Sequence, residues 1–329
     1  DMLYLTQGKD SIHLMLDVNL KGRAATKGTD MDLHGSINNI FFITTKMGYP
    51  AKDINFGFHI GEDYTKAHVG AGDLAMKLQS DKNVHLLLEA VTLVSDELTA
   101  QVKSAHFDEK SLTQYLPDLE FSLQSGNDNP LANFMRLRGW TMDSVDWKVK
   151  THPVSGIDGR LSLFNFRTGG LLLEETRLAI EQDSSGVRLK GSIENDNRKN
   201  PNRFTATLDG EVTKNGFSVF TAFHDEHHVT GLNLGVKAGL EENGDITLHL
   251  FPEESVIAYR KFKVNKNNFF TLGKDNHISA DISLMADDDT GFKISTPLGD
   301  STRDVTISIA NLNLNELSSV FPILPHLGG

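Results

Sequence analysis

His224-Asp225-Glu226-His227-His228 places three imidazoles and two carboxylates in five consecutive residues. Side chains of these types can take zinc or nickel. The run falls where Phe223 ends one alternating segment and Val229 begins the next, so a solvated hairpin loop accounts for it. Asp287-Asp288-Asp289-Thr290-Gly291 offers carboxylates to calcium, yet it lacks the alternating oxygen ligands and closing Glu of an EF-hand. It reads as a turn between Leu284 and Phe292. Gly70-Ala71-Gly72 and Gly169-Gly170 are not followed by a helix bearing the Lys of a phosphate loop. There is no Gly-x-Ser-x-Gly elbow. The acidic residues are scattered over turns and polar strand faces, and none form a general acid/base pair on adjacent inward positions. Trp140 and Trp147 could stack on a sugar, but two tryptophans in 329 residues are accounted for by packing. No catalytic residue, metal ligand or cofactor is expected from these residues, and the protein is expected not to be an enzyme.

The bulk properties narrow the function classes. Hydrophobic residues make up 39% and mean hydropathy is -0.28, which suits a folded, soluble chain rather than a disordered one. The net charge of -12 and the absence of a basic stripe argue against nucleic acid. The one dense basic patch, Arg198, Lys199 and Arg203, is diluted by Asn197, Asn200, Pro201 and Asn202 and reads as a loop. With no cysteine there is no disulfide framework and no thiol chemistry. No apolar run reaches the ~18 residues that span a bilayer. The chain begins and ends within strand-like patterns, so it is expected to be an interior segment of a longer protein.

The elements that would position any site are mostly strands. Alternation of period two runs through Ile12 to Leu20, Ile54 to Ile60, Leu74 to Leu78, Phe204 to Val212, Phe217 to Phe223, Leu232 to Val236, Ile246 to Leu250 and Ile278 to Leu284. Asn215-Gly216 and Asn243-Gly244 supply hairpin turns, and Ser185-Gly186 and Asp289-Thr290-Gly291 supply looser ones. Turns this short make the neighbours antiparallel, since a parallel return needs a dozen or more residues. The spacing changes to three and four at Leu87, Val91, Val94, Leu98 and Val102, predicting a helical insert over 83–115. Asn129-Pro130 followed by Leu131, Phe134, Met135 and Leu137 predicts a short helix over 129–138. Asn315 predicts another over 315–321, after Val305, Ile307 and Ile309 hand the apolar parity to Leu312 and Leu314. The three helices follow strands in a weak repeat, with Gln-Ser at 79–80 and 124–125 closing the first two strands.

Fifteen or more strands side by side at about 4.8 Å would make a sheet roughly 70 Å wide. A sheet of that width is rare unless it splits into sandwiches, closes into a barrel or curls into a trough. No Pro/Gly/Ser-rich linker marks sandwich boundaries, and the inner-face positions are aliphatic or Phe almost throughout. The expected fold is therefore mainly β: one long, curled antiparallel or mixed sheet over 1–329, forming an apolar groove with the helical insert at 83–115. A normally packed β core stands beside that reading.

DNPLANFMRLRGW (128–140), IAYRKFKVNKNNFFTLGKD (257–275), KMGYPAKDINFGFHIGEDYTKAHVGAGDL (46–74) and the closing LNLNELSSVFPILPHLGG resemble the TamB proteins, of the AsmA-like group of Gram-negative envelope proteins. The resemblance implies a taco-shaped β-groove in the periplasm, anchored to the inner membrane by an N-terminal helix outside this segment. It also implies a C-terminal end that meets a BamA-like or TamA-like outer-membrane barrel. The implied work is movement of phospholipid between the membranes, or assistance to outer-membrane protein assembly. The helical insert departs from an unbroken groove.

The expected activity is non-enzymatic carriage of phospholipid acyl chains by a monomeric segment, with a chaperone for nascent outer-membrane strands as the alternative. An adhesin or carbohydrate-binding array of sandwiches is the third reading. Leu14, Leu16, Phe56, Phe58, Leu208, Val219, Leu248, Leu250 and Ile282 are the expected groove-lining residues.

Overall fold

The computed structural model describes residues 3–5, 12–24, 30–43, 48–104, 108–183, 185–195, 197, 200, 203–241, 243–275, 277–297 and 304–311. Strands dominate, and the chain forms two compact units.

The first unit takes in Asp1–Thr99 and Lys110–Leu178. It contains β1 (Leu3–Leu5), β2 (Ile12–Ala24), β3 (Met31–Ile43), β4 (Gly48–Pro50), β5 (Ile54–Ile60), β6 (Thr65–Ala71) and β7 (Leu74–Ser80). Most of α1 (Val84–Ser104) and α2 (Glu109–Thr113) follow, then β8 (Leu119–Ser125), α3 (Pro130–Leu137), β9 (Ser144–His152) and β10 (Gly156–Thr168). The strands pair antiparallel in the order β1, β2, β3, β5, β6, β7, β8, β9, β10, and β4 adds to β3. The expected insert and the expected helix at 129–138 are both present. The helix expected over 315–321, and the switch to Leu312 and Leu314, lie outside the described residues.

The second unit takes in Ala100–Glu109 and Ala179–Gly329. The chain passes into it along β11 (Leu171–Asp183). It contains β12 (Gly186–Asn195), β13 (Phe204–Thr213), β14 (Gly216–Asp225), β15 (Thr230–Leu240) and β16 (Ile246–Ile257). These are followed by β17 (Arg260–Val264), β18 (Phe269–Leu272), β19 (Ile278–Met285), β20 (Gly291–Ser295) and β21 (Thr306–Ala310). β12 to β16 form an antiparallel meander. β18 pairs with the first part of β16 and β17 with its end; β19 pairs with both and with β20, and β20 pairs with β21. The hairpin glycines Gly216 and Gly244 adopt φ of 143° and 90°, which only glycine takes cheaply.

Cross-strand partners in a sheet share a face. A shift of one residue would turn every apolar side chain over, so the apolar pattern itself sets the register. β3 shows this directly. Its apolar residues change parity from Leu33 and Ile37 to Ile40 and Phe42, and a register shift falls between. Asn39 takes the extra position at φ 53°, donates its backbone N–H to Asp53 Oδ1 (3.1 Å) and its side-chain amide to Asp17 Oδ2 (2.7 Å). The bulge keeps all four apolar side chains on one face.

α3 closes part of that face. Asn129 is fully buried and caps the helix by accepting the Ala132 N–H at 2.9 Å. Its own amide donates to Asp73 Oδ1 (2.6 Å), Ser125 Oγ (2.9 Å) and the Gly126 carbonyl (3.0 Å). So anchored, α3 sets Leu137 on the buried pair Ile40 and Phe42, with Leu16, Ile37 and Ile54 around them.

Partial burial pushes the Asp73 carboxyl up, but hydrogen bonds from Asn129 and from the Asp128 backbone outweigh it, and its pKa lies below the ordinary aspartate value. A depressed carboxylate contributes stability above its unfolded pKa and loses it as pH falls through the folded pKa. Asp73→Asn is expected to lower the melting temperature at pH 7 and to narrow its gap to the parent below pH 4, as followed by thermal unfolding at the two pH values. An equal gap at both would sink this account.

Candidate functional site: an apolar sheet face in each unit

Register divides each unit into two chemically opposite faces. In the first, Val18 faces Ile37, Leu33 faces Phe58, Phe56 faces Val69, Val69 faces Met76, Leu78 faces Phe121, and Leu123 faces Trp147. The alternate positions carry Lys21 with His34, His59 with Lys66, Gln79 with Glu120, and Lys150 with Asp158. In the second unit, Val187–Val212–Phe217–Ala238–Leu248–Phe270 runs strand to strand across β12 to β18. The row Leu189–Gly210–Val219–Val236–Leu250 runs beside it. The reverse side sets Arg188 against Glu211 and Lys190 against Asp209.

These apolar faces are unevenly covered. Val18, Leu20 and Trp147 of the first unit remain exposed, although Trp147 meets Phe121 edge-on at 5.0 Å. In the second unit Phe204, Phe223 and Leu232 are buried at the Asp225 end, where Phe204 and Phe223 stack at 5.4 Å. Leu189, Phe217 and Leu272, towards the other end, are exposed. A second closed patch gathers Phe262, Val264, Leu284 and Ala286, with Leu250, Ile257 and Phe292 against it. Exposed apolar area of this kind marks surfaces that meet lipid, membrane or protein.

The expected groove residues distribute accordingly. Phe56 and Phe58 are half-buried neighbours 5.8 Å apart on the first unit's apolar face. Leu16 lies in the patch beneath Leu137. The backbone of Leu14 pairs with Leu3 and Phe42, and its side chain lies outside the described residues. Leu208, Leu248 and Leu250 are half-buried on the second unit's apolar face, and Val219 is 39% exposed there. Ile282 is on the same face but buried. On α1, Leu86, Ala90 and Leu93 border a cleft of about 380 Å³ with Leu116, Pro117 and Pro153.

The polar runs that drew attention in the sequence behave as turns. Asp225 Oδ1 accepts the backbone N–H groups of His227 and Val229, both at 2.9 Å, and His228 takes φ 58°. In the Asp287–Gly291 turn, Lys263 pairs with Asp287 and Arg260 with Asp288. A hydrogen bond from Thr290, with the nearby Arg260 charge, holds the Asp288 carboxyl below its ordinary pKa. Among the described residues a different trio comes together: Asp32, His34 and His59, with ligand atoms all within 4.8 Å. Sequence reasoning missed it because Asp32 and His59 meet only through the β3–β5 pairing. The one local signal was Asp-x-His, two polar residues on one strand face.

Fold and faces together define an antiparallel β protein whose sheets are segregated into an aliphatic and a polar side. No protein-family model, curated protein or solved structure matches the chain.

Proposed function

We propose that this chain is a non-enzymatic segment of a TamB-like periplasmic bridge, carrying phospholipid acyl chains along the apolar sheet face of each unit. In the full-length protein the segment would be anchored to the inner membrane and would deliver to a BamA-like or TamA-like outer-membrane barrel through regions beyond it. One observation carries the reading: apolar side chains in register from strand to strand, exposed over part of each face. The stretches that resemble TamB supply the cellular setting.

The mechanism requires no bond making. Withdrawing an acyl chain of ~16 carbons from water is worth about 0.8 kcal/mol per CH₂, or roughly 13 kcal/mol. Once that is gained, successive aliphatic rows present nearly equal sites, so a chain slides with little change in free energy while its charged head stays in water.

The test is mass spectrometry of lipids that copurify with the segment, combined with photo-crosslinking residues at Phe58, Leu208 and Leu250. Acyl-chain adducts at these positions are the expected result. Adducts to hydrophobic peptide would instead favour the holding of unfolded strands. Capture of neither, with native lipid absent from the purified protein, rules the reading out.

A further inference from the structure

The polar face of the first unit carries a feature that lipid carriage does not use. Asp32 and His34 stand two apart on β3, and His59 on β5 lies directly opposite Asp32. Asp32 Oδ1 is 2.8 Å from His34 Nε2 and 3.3 Å from His59 Nδ1. That oxygen is buried, yet neither nitrogen is aligned on it as a hydrogen-bond donor. Two imidazole nitrogens and a carboxylate oxygen thus converge without satisfying one another.

A cradle holds the rings. His34 and His59 meet edge-on with centroids 4.8 Å apart, and the His68 ring of β6 lies 6.4 Å from that of His34. Gly57, opposite both His34 and His68, makes this possible. A β-carbon there would fall 2.3 Å from His68 Cε1 and 2.9 Å from His34 Nδ1. The imidazoles occupy the space that any other residue type would fill.

We infer that Asp32, His34 and His59 form a binding site for a divalent transition-metal ion of the zinc or copper type. Two imidazoles and one carboxylate suit these ions and leave a position open to water or to a fourth ligand. Ligand bonds of about 2.0–2.2 Å in a tetrahedron set the ligand atoms roughly 3.4 Å apart. Atoms already within 4.8 Å need only side-chain rotation to reach that. His68 acts as a positioning residue, limiting the tilt of His34 across Gly57. The cations that share this face are Lys21 opposite His34, Arg23 opposite Asp32 and Lys66 opposite His59. All three are exposed, and Lys66 Nζ is drawn over the Tyr64 ring at 5.8 Å. They temper the affinity without occupying the ligand atoms.

The experiment uses the whole chain, stripped with a chelator and titrated calorimetrically with Zn²⁺, and with Cu²⁺ followed by electron paramagnetic resonance. The expected result is one ion bound at this site, with nitrogen hyperfine structure from two imidazoles on Cu²⁺. His34→Ala and His59→Ala should each lower affinity at least tenfold, and Gly57→Ala should lower it with the ligands intact. Circular dichroism checks that the fold is retained. His227→Ala/His228→Ala should bind as the parent does. The proposal is overturned if the parent binds no ion at 100-fold molar excess. It is equally overturned if His34→Ala and His59→Ala bind as tightly as the parent, or if the His227/His228 variant loses the ion.

Discussion

Leu284→Asp is expected to unfold the second unit, whereas Leu248→Asp should leave it folded and abolish the proposed capture of acyl chains. Both leucines lie on the same apolar face, Leu284 opposite Phe292 and Leu248 opposite Ala238 and Phe270. They differ in cover. Leu284 is 2% exposed, within the patch formed with Phe262, Val264 and Ala286. A carboxylate there has no partner and no water, a change that costs about 4 kcal/mol or more. Burial raises the pKa of such a group, so the loss should deepen with rising pH. Leu248 is half-buried, and water reaches a carboxylate placed there. The cost of Leu248→Asp is then mainly the lost apolar contact, about 1–2 kcal/mol. Chemical denaturation and circular dichroism measure the first effect; lipid crosslinking at Leu250 of the Leu248→Asp protein measures the second. If Leu248→Asp unfolds the unit as Leu284→Asp does, the face around β16 is a closed core and the lipid reading fails there.

Asn268→Leu should be nearly as damaging, although Asn268 sits in a connection. Its amide does the work of a strand backbone where the partner of β16 changes from β18 to β17. The side-chain oxygen accepts the Leu250 N–H at 2.6 Å, and the amide donates to the carbonyls of Leu250 and Asn265, both at 3.0 Å. Asn265 plays the matching part on β19, accepting the Ser283 N–H at 2.8 Å and donating to the Asp281 carbonyl at 3.0 Å. Asn268 is 5% exposed, so leucine would fill the volume while stranding the Leu250 N–H and carbonyl; the Asn265 carbonyl keeps the Asn268 backbone N–H at 3.0 Å. Each unsatisfied group costs about 1–3 kcal/mol, and a total of about 3–5 kcal/mol is expected. For a unit of this size that lowers the melting temperature by roughly 10–15 °C. Amide exchange at Leu250 should quicken well beyond its neighbours. Unchanged exchange there would show that water replaces the side chain.

Much of this organisation is written locally. Alternation of period two marks the strands because successive side chains point to opposite faces. The Asn-Gly pairs at 215–216 and 243–244 end up as hairpin turns, and Asn129-Pro130 as a helix start. In the Gln-Ser repeat, Ser80 and Ser125 are buried strand ends, followed by Asn83 and Asn129 as caps. The segregation of aliphatic from polar faces was also legible, since it follows from the same alternation.

What alternation leaves undecided is which neighbour covers which part of a face. Leu16 and Phe56 look alike in the sequence and both are half-buried, yet Leu16 packs with Leu137 of α3 on the closed patch of Ile40 and Phe42, while Phe56 lies beside Phe58. That difference depends on where α3 docks, through Asn129 and Asp73, 56 residues apart. The same holds for the polar trio. Asp32 and His59 face each other because β3 and β5 are held in register by apolar pairs such as Leu33 with Phe58 on the reverse side. A slip of one residue would expose those pairs to water and carry His59 away from Asp32. The sequence by itself determined the strands, turns and two-sided chemistry, because these depend on neighbours a few residues apart. The tertiary structure alone decided the covered patches, the amide plug at Asn268 and the Asp32–His34–His59 cluster, because each needs residues that only long-range strand pairing and helix docking bring together.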